Sequence, residues 1–262
     1  MPSLPSPLPI LAAAAAWAAL LLGPRAALAA NPVGGFTTDD YVPGMADPNL
    51  HFFDGKFTMW ATHDFSVNNT GFLMRDWWIW SSPDLVKWTK ESVVVPTVMT
   101  WDTVDNECWA TDAAWVNGTY FFYVSAGPGE VGVMSAPSLK GPWQDPLGKP
   151  LLSTAFGKSL KPQATFRDPC VFQDPDTHEY FIIAGVFTYY VTKLSPDMIS
   201  LAEAPRLVNF TTPTYGPCGA GNTDDKPFLH KNEGTFYLSW GCFCKREFLQ
   251  YPLPVRFTVF IW

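Results

Sequence analysis

Polar and apolar positions alternate in short runs along most of this chain, and the runs come in pairs. Four times an aspartate opens an apolar strand that passes a polar turn into an aromatic strand: 47–53 with 56–60, 112–116 with 119–123, 168–172 with 179–183, and 225–229 with 235–239. The opening residues, Asp47, Asp112, Asp168 and Asp225, are 65, 56 and 57 residues apart. Asp54-Gly55 and Asn117-Gly118 separate the first two pairs and predict two-residue hairpin turns. Further strands are predicted at 77–82 and 132–136. Past residue 30 no long helical periodicity survives. An internal repeat of this length filled with strands predicts an all-β fold of the β-propeller type, with about four blades in this chain. In a propeller the innermost strands converge on one axis, so the four aspartates are expected to share a pocket. The simpler reading is that each aspartate caps a turn through local backbone hydrogen bonds.

Two related pieces follow the third strands: Ser81-Ser82-Pro83-Asp84-Leu85-Val86-Lys87-Trp88 and Ser135-Ala136-Pro137-Ser138-Leu139-Lys140-Gly141-Pro142-Trp143, with a shorter version at Ser195-Pro196-Asp197-Met198. Each is read as a turn that delivers Trp or another apolar group into the space between blades.

The first 30 residues differ from the rest. Residues 10–22 are an unbroken apolar run and Ala27-Leu28-Ala29 has the form of a cleavage site, so 1–30 reads as a secretory signal peptide and the protein as secreted, without stable membrane association. Removing it takes away Arg25 and leaves 16 basic against 24 acidic residues. A chain this acidic, without a basic stripe, is not expected to bind nucleic acid. The sequons at Asn68, Asn117 and Asn209 fit a secreted glycoprotein. Aromatic residues make up 16% of the chain, including 12 Trp. Some are expected to line a sugar-binding surface, where a ring face stacks on a sugar face, and most to fill space between blades. The five cysteines, at 108, 170, 218, 242 and 244, read as one or two disulfides or as buried thiols, and Cys242-Phe243-Cys244 has the wrong spacing for a zinc knuckle. His51, His63, His178 and His230 form no metal-binding pair, and His51 and His230 occupy equivalent repeat positions, which favours packing roles.

Ala46-Asp47-Pro48, Cys108-Trp109-Ala110-Thr111-Asp112, Arg167-Asp168-Pro169-Cys170-Val171-Phe172, the Ser81 to Trp88 piece and Gly141-Pro142-Trp143 stand in an order that resembles glycoside hydrolase family 43. These are five-bladed propellers that include arabinofuranosidases, arabinanases and β-xylosidases. The resemblance implies an inverting glycosidase acting on arabinose- or xylose-containing polysaccharide. It implies Asp47 as general base, Asp168 as the carboxylate that orients the acid and raises its pKa, and an acid in the fourth repeat. There the family has Glu two residues before Pro, and this chain has Asp225-Lys226-Pro227. Asp225 is therefore the expected acid, with Asp224 a lesser candidate facing the other way on a strand. Trp109, Asp112 and Arg167 are the implied substrate-binding residues. Some family members hold a calcium or water at the axis through a His of the last blade. No such segment is found here, so no metal is expected.

The resemblance ends at Cys244, which divides the chain into a leader (1–30), an incomplete propeller domain (31–244) and a tail (245–262) without blade pattern. That break reads as a truncated or misassembled version of a longer gene product. A monomer acting on an oligosaccharide or polysaccharide is expected. The alternatives are a catalytically inactive carbohydrate-binding propeller, which keeps the aromatic pocket without a competent acid, and a propeller that presents loops to protein partners.

Overall fold

The structure, a computed structural model, describes residues 44–65, 72–104, 106–156, 165–209 and 225–241, together with a two-residue strand at 260–261. The predicted leader, the Asn68 sequon, the Thr of the Asn209 sequon, Asp224, three of the cysteines (218, 242 and 244) and most of the tail lie outside the described residues.

Four antiparallel sheets follow one another along the chain. The first contains β1 (Met45–Phe53), β2 (Lys56–Asp64), β3 (Met74–Ser82) and β4 (Thr89–Val94). The second contains β5 (Thr111–Val116), β6 (Thr119–Ala126) and β7 (Glu130–Ala136), with isolated bridges from Leu152 and Gln144 along its outer edge. The third runs from β8 (Cys170–Gln173) through β9 (Tyr180–Ala184) and β10 (Tyr190–Lys193) to β11 (Arg206–Leu207). The fourth pairs β12 (Phe228–Asn232) with β13 (Thr235–Ser239), and the tail adds β14 (Phe260–Ile261) against β13. The sheets are four blades of a five-bladed type of propeller. β5 packs against β1 and β8, and β8 packs against β12.

The near-continuous apolar character of the strands follows from this stacking. Successive side chains on a strand point to opposite faces, and a blade has a neighbour on each face. From β6, Tyr120, Phe122 and Val124 enter a cluster with Trp60, Trp77 and Ile79 of the first blade. The intervening Tyr123 enters a second cluster with Ile182, Ala184 and Tyr190 of the third. From β9, Ile183 turns the other way, into a third cluster with Leu238 and Trp240 of the fourth. The core is therefore three inter-blade seams, with a smaller cluster of Met59, Trp78 and Trp80 on the first blade, rather than one centre.

The proposed turn pieces serve these seams. Asp84 accepts the backbone N–H groups of Val86 (2.9 Å) and Lys87 (2.8 Å), closing its turn. Asp197 does the same for Ile199 and Ser200. Trp143 then packs back on Trp60 and Phe122 of the first seam, at ring separations of 5.9 and 5.7 Å. Met198 lies in the second seam, its carbonyl accepting the Tyr123 hydroxyl at 2.7 Å.

Both predicted hairpin turns are left-handed at their two central residues: φ is 48° and 74° at Asp54-Gly55, and 51° and 78° at Asn117-Gly118. That geometry matches the twist of the strands it joins. Glu233-Gly234 repeats it at 47° and 77° in the fourth blade, with a Glu where composition gives no turn signal.

Trp60 is fully buried and touches Tyr120, Phe122 and Trp143 across the first seam. Trp60→Ala is expected to lower the unfolding free energy by about 3–5 kcal/mol, the usual result of emptying a large aromatic site. Urea unfolding measures it, and a loss under 1 kcal/mol would mean the seam is not packed as described.

Candidate active site at the propeller axis

The inner strands β1, β5, β8 and β12 begin at one end of the ring, and a set of ties joins each start to the next. Asn49 Nδ2 donates to the Thr111 carbonyl. Asp112 Oδ2 accepts the Val171 N–H at 2.6 Å. Cys170 Sγ accepts the Leu229 N–H at 3.4 Å. Asn49, Asp112 and Cys170 are therefore equivalent positions.

Two residues ahead of each lies the true axial position. Counting back seven residues from the turn residues Asp54, Asn117 and Glu233 reaches Asp47, Ala110 and Lys226. Asp168, two ahead of Cys170, completes the set. Asp47, Asp168 and Lys226 each precede a proline and each has a left-handed backbone, with φ of 50°, 58° and 51°. For residues other than glycine this conformation costs about 1 kcal/mol or more, and here it recurs where three blades meet.

This corrects the expectation that four aspartates share one pocket. The repeat carries Asp at neighbouring but inequivalent positions, so aligning the letters shifts the second blade by two residues and the fourth by one. Asp47 and Asp168 do come together. Asp112 is buried between blades with both oxygens engaged: Oδ1 meets His51 Nε2 at 2.6 Å and the Ala113 N–H at 2.8 Å, and Oδ2 holds Val171. That leaves it binding the fold, where the resemblance implied sugar. His51, stacked on Phe53 at 4.7 Å, belongs to the same inter-blade contact.

The fourth blade places Lys226 where the first and third place their aspartates. Its backbone N–H donates to Asp168 Oδ2 at 2.9 Å, and its Nζ donates to the Thr111 carbonyl at 2.7 Å. Asp225 stands one residue earlier. Its carbonyl accepts the Gly241 N–H at 3.0 Å, and its Oδ1 lies so near Gly241 that a Cβ there would be 2.7 Å away.

Asp168 is further fixed by its own N–H, which donates to Ser125 Oγ (2.8 Å), and Ser125 in turn donates to the Ala110 carbonyl (2.8 Å). Burial pushes the carboxyls of Asp47 and Asp168 above the usual carboxylate range. Asp168 rises to about 6: burial dominates, the Lys226 ammonium and N–H oppose it, the Asp47 charge adds to it, and the Arg167 charge opposes it. For Asp47 the Lys226 charge opposes burial in the same way. Two coupled carboxyls with elevated values in a cleft have the character of an acid–base site.

At the rim, the Arg167 guanidinium lies 5.4 Å from the Trp109 ring centroid and its Nη2 binds Glu107 Oε2 at 2.8 Å. The exposed ring of Phe72 stands edge-on to Trp109 at 6.0 Å. Among the described residues, Trp109 Nε1 and Arg167 Nε are buried without a hydrogen-bond partner. The Arg167 carbonyl accepts the Gly185 N–H at 2.6 Å, which brings the turn bearing exposed Phe187 to the same end. Sequence reasoning found Trp109 and Arg167 but missed Glu107, Phe72 and the axial Lys226. For Lys226 a signal existed: it stands directly before Pro, as Asp47 and Asp168 do.

The donors present do not fit an axial calcium. The Thr111 carbonyl already accepts both Lys226 Nζ and Asn49 Nδ2. Among the described residues no group of three or more His, Cys, Asp or Glu converges as a ligand set. Cys170 lies buried in the third seam, its thiol pushed up to about 12 by burial.

The sequence profile described as Glycosyl hydrolases family 43 matches residues 43–245. The chain is 27% identical over 238 residues to an arabinoxylan arabinofuranohydrolase of Bacillus subtilis, covering 74% of this chain and 42% of that protein. It is 31% identical over 176 residues to the β-D-galactofuranosidase xynD of Aspergillus niger, covering 60% of this chain and 47% of that protein. The chain thus spans less than half the length of these two relatives. A β-xylosidase/α-arabinofuranosidase from a compost microbial metagenome, solved with xylotriose in a calcium-free form, shares the fold with a TM-score of 0.61 at 24% identity, over 77% of this chain and 71% of that one.

Asp168 generates a pH signature. Its folded value of about 6 lies above the ordinary 3.8, so between those values the folded state binds more protons than the unfolded one and stability falls as pH rises. Asp168→Asn removes this dependence. Between pH 4 and 6 the wild type is expected to lose about 2 kcal/mol relative to Asp168→Asn. Denaturant melts across that range measure it, and parallel curves would refute the assignment.

Proposed function

We propose that this chain, which belongs to glycosyl hydrolase family 43, is the catalytic propeller of a secreted, monomeric glycosidase that cleaves arabinose- or xylose-containing polysaccharide with inversion. The observation that carries the reading is the meeting of Asp47 and Asp168 at the axis: Asp168 is buried and Asp47 half-buried, both sit on the same strained pre-proline backbone, and loss of water raises both toward the pH range in which proton transfer is useful. Ionised Asp47 takes a proton from water as that water attacks the anomeric carbon. Asp225 donates its proton to the departing glycosidic oxygen, so the C–O bond breaks as the new one forms. Asp168, held by Lys226 and Ser125, orients that acid and disfavours its ionisation through its own charge. Trp109 and Phe72 offer ring faces to the sugar, and the Arg167 guanidinium lies beside them. The names of the relatives support furanose or xylose units as the sugar class.

A second reading, an inactive carbohydrate-binding propeller, is favoured by the fourth blade alone: Asp225 is one methylene shorter than the family's Glu, and Lys226 follows it. Aryl arabinofuranosides, xylosides and galactofuranosides, with arabinan and arabinoxylan, separate the two. Release that disappears in Asp47→Asn, with the inverted anomer seen first by proton NMR, is the expected outcome. Calorimetric binding of xylo- or arabino-oligosaccharides without release would establish the second reading.

Gly241→Ala tests Asp225. The added Cβ would lie 2.7 Å from Asp225 Oδ1 and must displace it. Because a misplacement of about 1 Å commonly costs on the order of 100-fold in rate, kcat should fall by about that factor with the fold retained. An unchanged kcat would remove Asp225 from the acid role.

A further inference from the structure

The proposed chemistry uses Lys226 only through its backbone N–H, which holds Asp168, and assigns nothing to its ammonium, although Lys226 occupies the axial position of the fourth blade. It is held at two points from two different blades: its backbone N–H on Asp168 Oδ2 at 2.9 Å, and its Nζ on the Thr111 carbonyl at 2.7 Å. Asn49 of the first blade reaches the same carbonyl. The ammonium is thus pinned within the ring of inner strands and is close enough to act on both Asp47 and Asp168.

The other charged groups around the axial carboxylates are accounted for. Arg167 acts on Asp168 and is paired with Glu107. Asp112, on β5, is engaged by His51, Ala113 and Val171. Asp225 precedes Lys226 on the same segment and lies against Gly241. Cys170, on β8, is buried in the third seam.

We propose that Lys226 is the positioning cation of the axial site: tied to Asp168 through its backbone N–H and to the Thr111 carbonyl through Nζ, it places its ammonium as the chain's own counter-ion to the Asp47–Asp168 pair and keeps the two carboxyls together in their charged form. This deepens the glycosidase reading, since a general base must be ionised to act. It also gives a reason for Lys beside the acid. Without a counter-ion, two carboxylates buried side by side repel and one of them takes up a proton. The left-handed backbone at Lys226 aims its N–H at Asp168 and leaves the side chain to cross to Thr111.

The test is the titration of the Asp47 and Asp168 carboxyl carbons by 13C NMR, assigned through Asp47→Asn and Asp168→Asn, in wild type, Lys226→Gln, Lys226→Met and Lys226→Arg. All variants keep the backbone N–H, Gln keeps a shorter neutral donor toward Thr111, and Arg keeps both a donor and the charge. Gln and Met are expected to raise the midpoints by about one unit or more, and Arg to restore them. The acid limb of kcat/KM against pH should move by the same amount and return with Arg. Unmoved midpoints in a folded Lys226→Gln would overturn the proposal. Misfolding of Gln and Met while Arg is native would support it, because Arg is the one variant that keeps the positive charge. If wild type releases no sugar yet the midpoints move, the glycosidase reading falls and the role of Lys226 stands.

Discussion

One buried carboxylate holds three blades in register. Asp112 begins β5, yet its oxygens reach His51 on β1, the backbone of its own strand, and Val171 on β8. A buried carboxylate is tolerated only when its oxygens are satisfied, and the partners that satisfy Asp112 lie on both neighbouring sheets. The geometry of the axis depends on this. Asn49 before it and Cys170 after it make the same kind of tie to the next blade with neutral groups, so the inner strands step round the ring at a constant register.

With the register set, the residues two positions earlier are forced together, and those residues are charged. Asp47 and Asp168 lose water on burial, which raises the proton affinity of both, and the Asp47 charge adds to that of Asp168, so stability falls as pH rises from about 4 to 6. The fold offsets part of that cost with Lys226, whose backbone N–H donates to Asp168 Oδ2 and whose charge acts on both carboxyls. The same residues also carry strained backbone. Strained backbone and raised proton affinity are thus concentrated at the axis, in a structure whose seams are otherwise packed with aromatic rings.

The rim has a different logic. Trp109 is anchored from behind, its carbonyl accepting the indole N–H of Trp77 at 2.8 Å, while its face lies between Phe72 and Arg167. A ring fixed in this way keeps a flat apolar surface beside charged groups, which is the combination a sugar requires.

The sequence by itself determined the strands, two of the hairpin turns, the propeller class and the family, because period-two patterning and Asp-Gly or Asn-Gly turns are local signals that tertiary contacts did not override. It also singled out Asp47, Asp168, Trp109 and Arg167. Only the tertiary structure decided which aspartates are equivalent. Asp112 and Asp225 carry the same letter as Asp47 within repeats of similar length, but a strand sends adjacent side chains to opposite faces, and a shift of one or two residues moves a carboxylate from the axis to a seam or off the axial position. The Glu233-Gly234 turn and the crossing of Lys226 to Thr111 were hidden for a related reason: each depends on a backbone φ that its residue type does not announce and that the meeting of separate blades imposes.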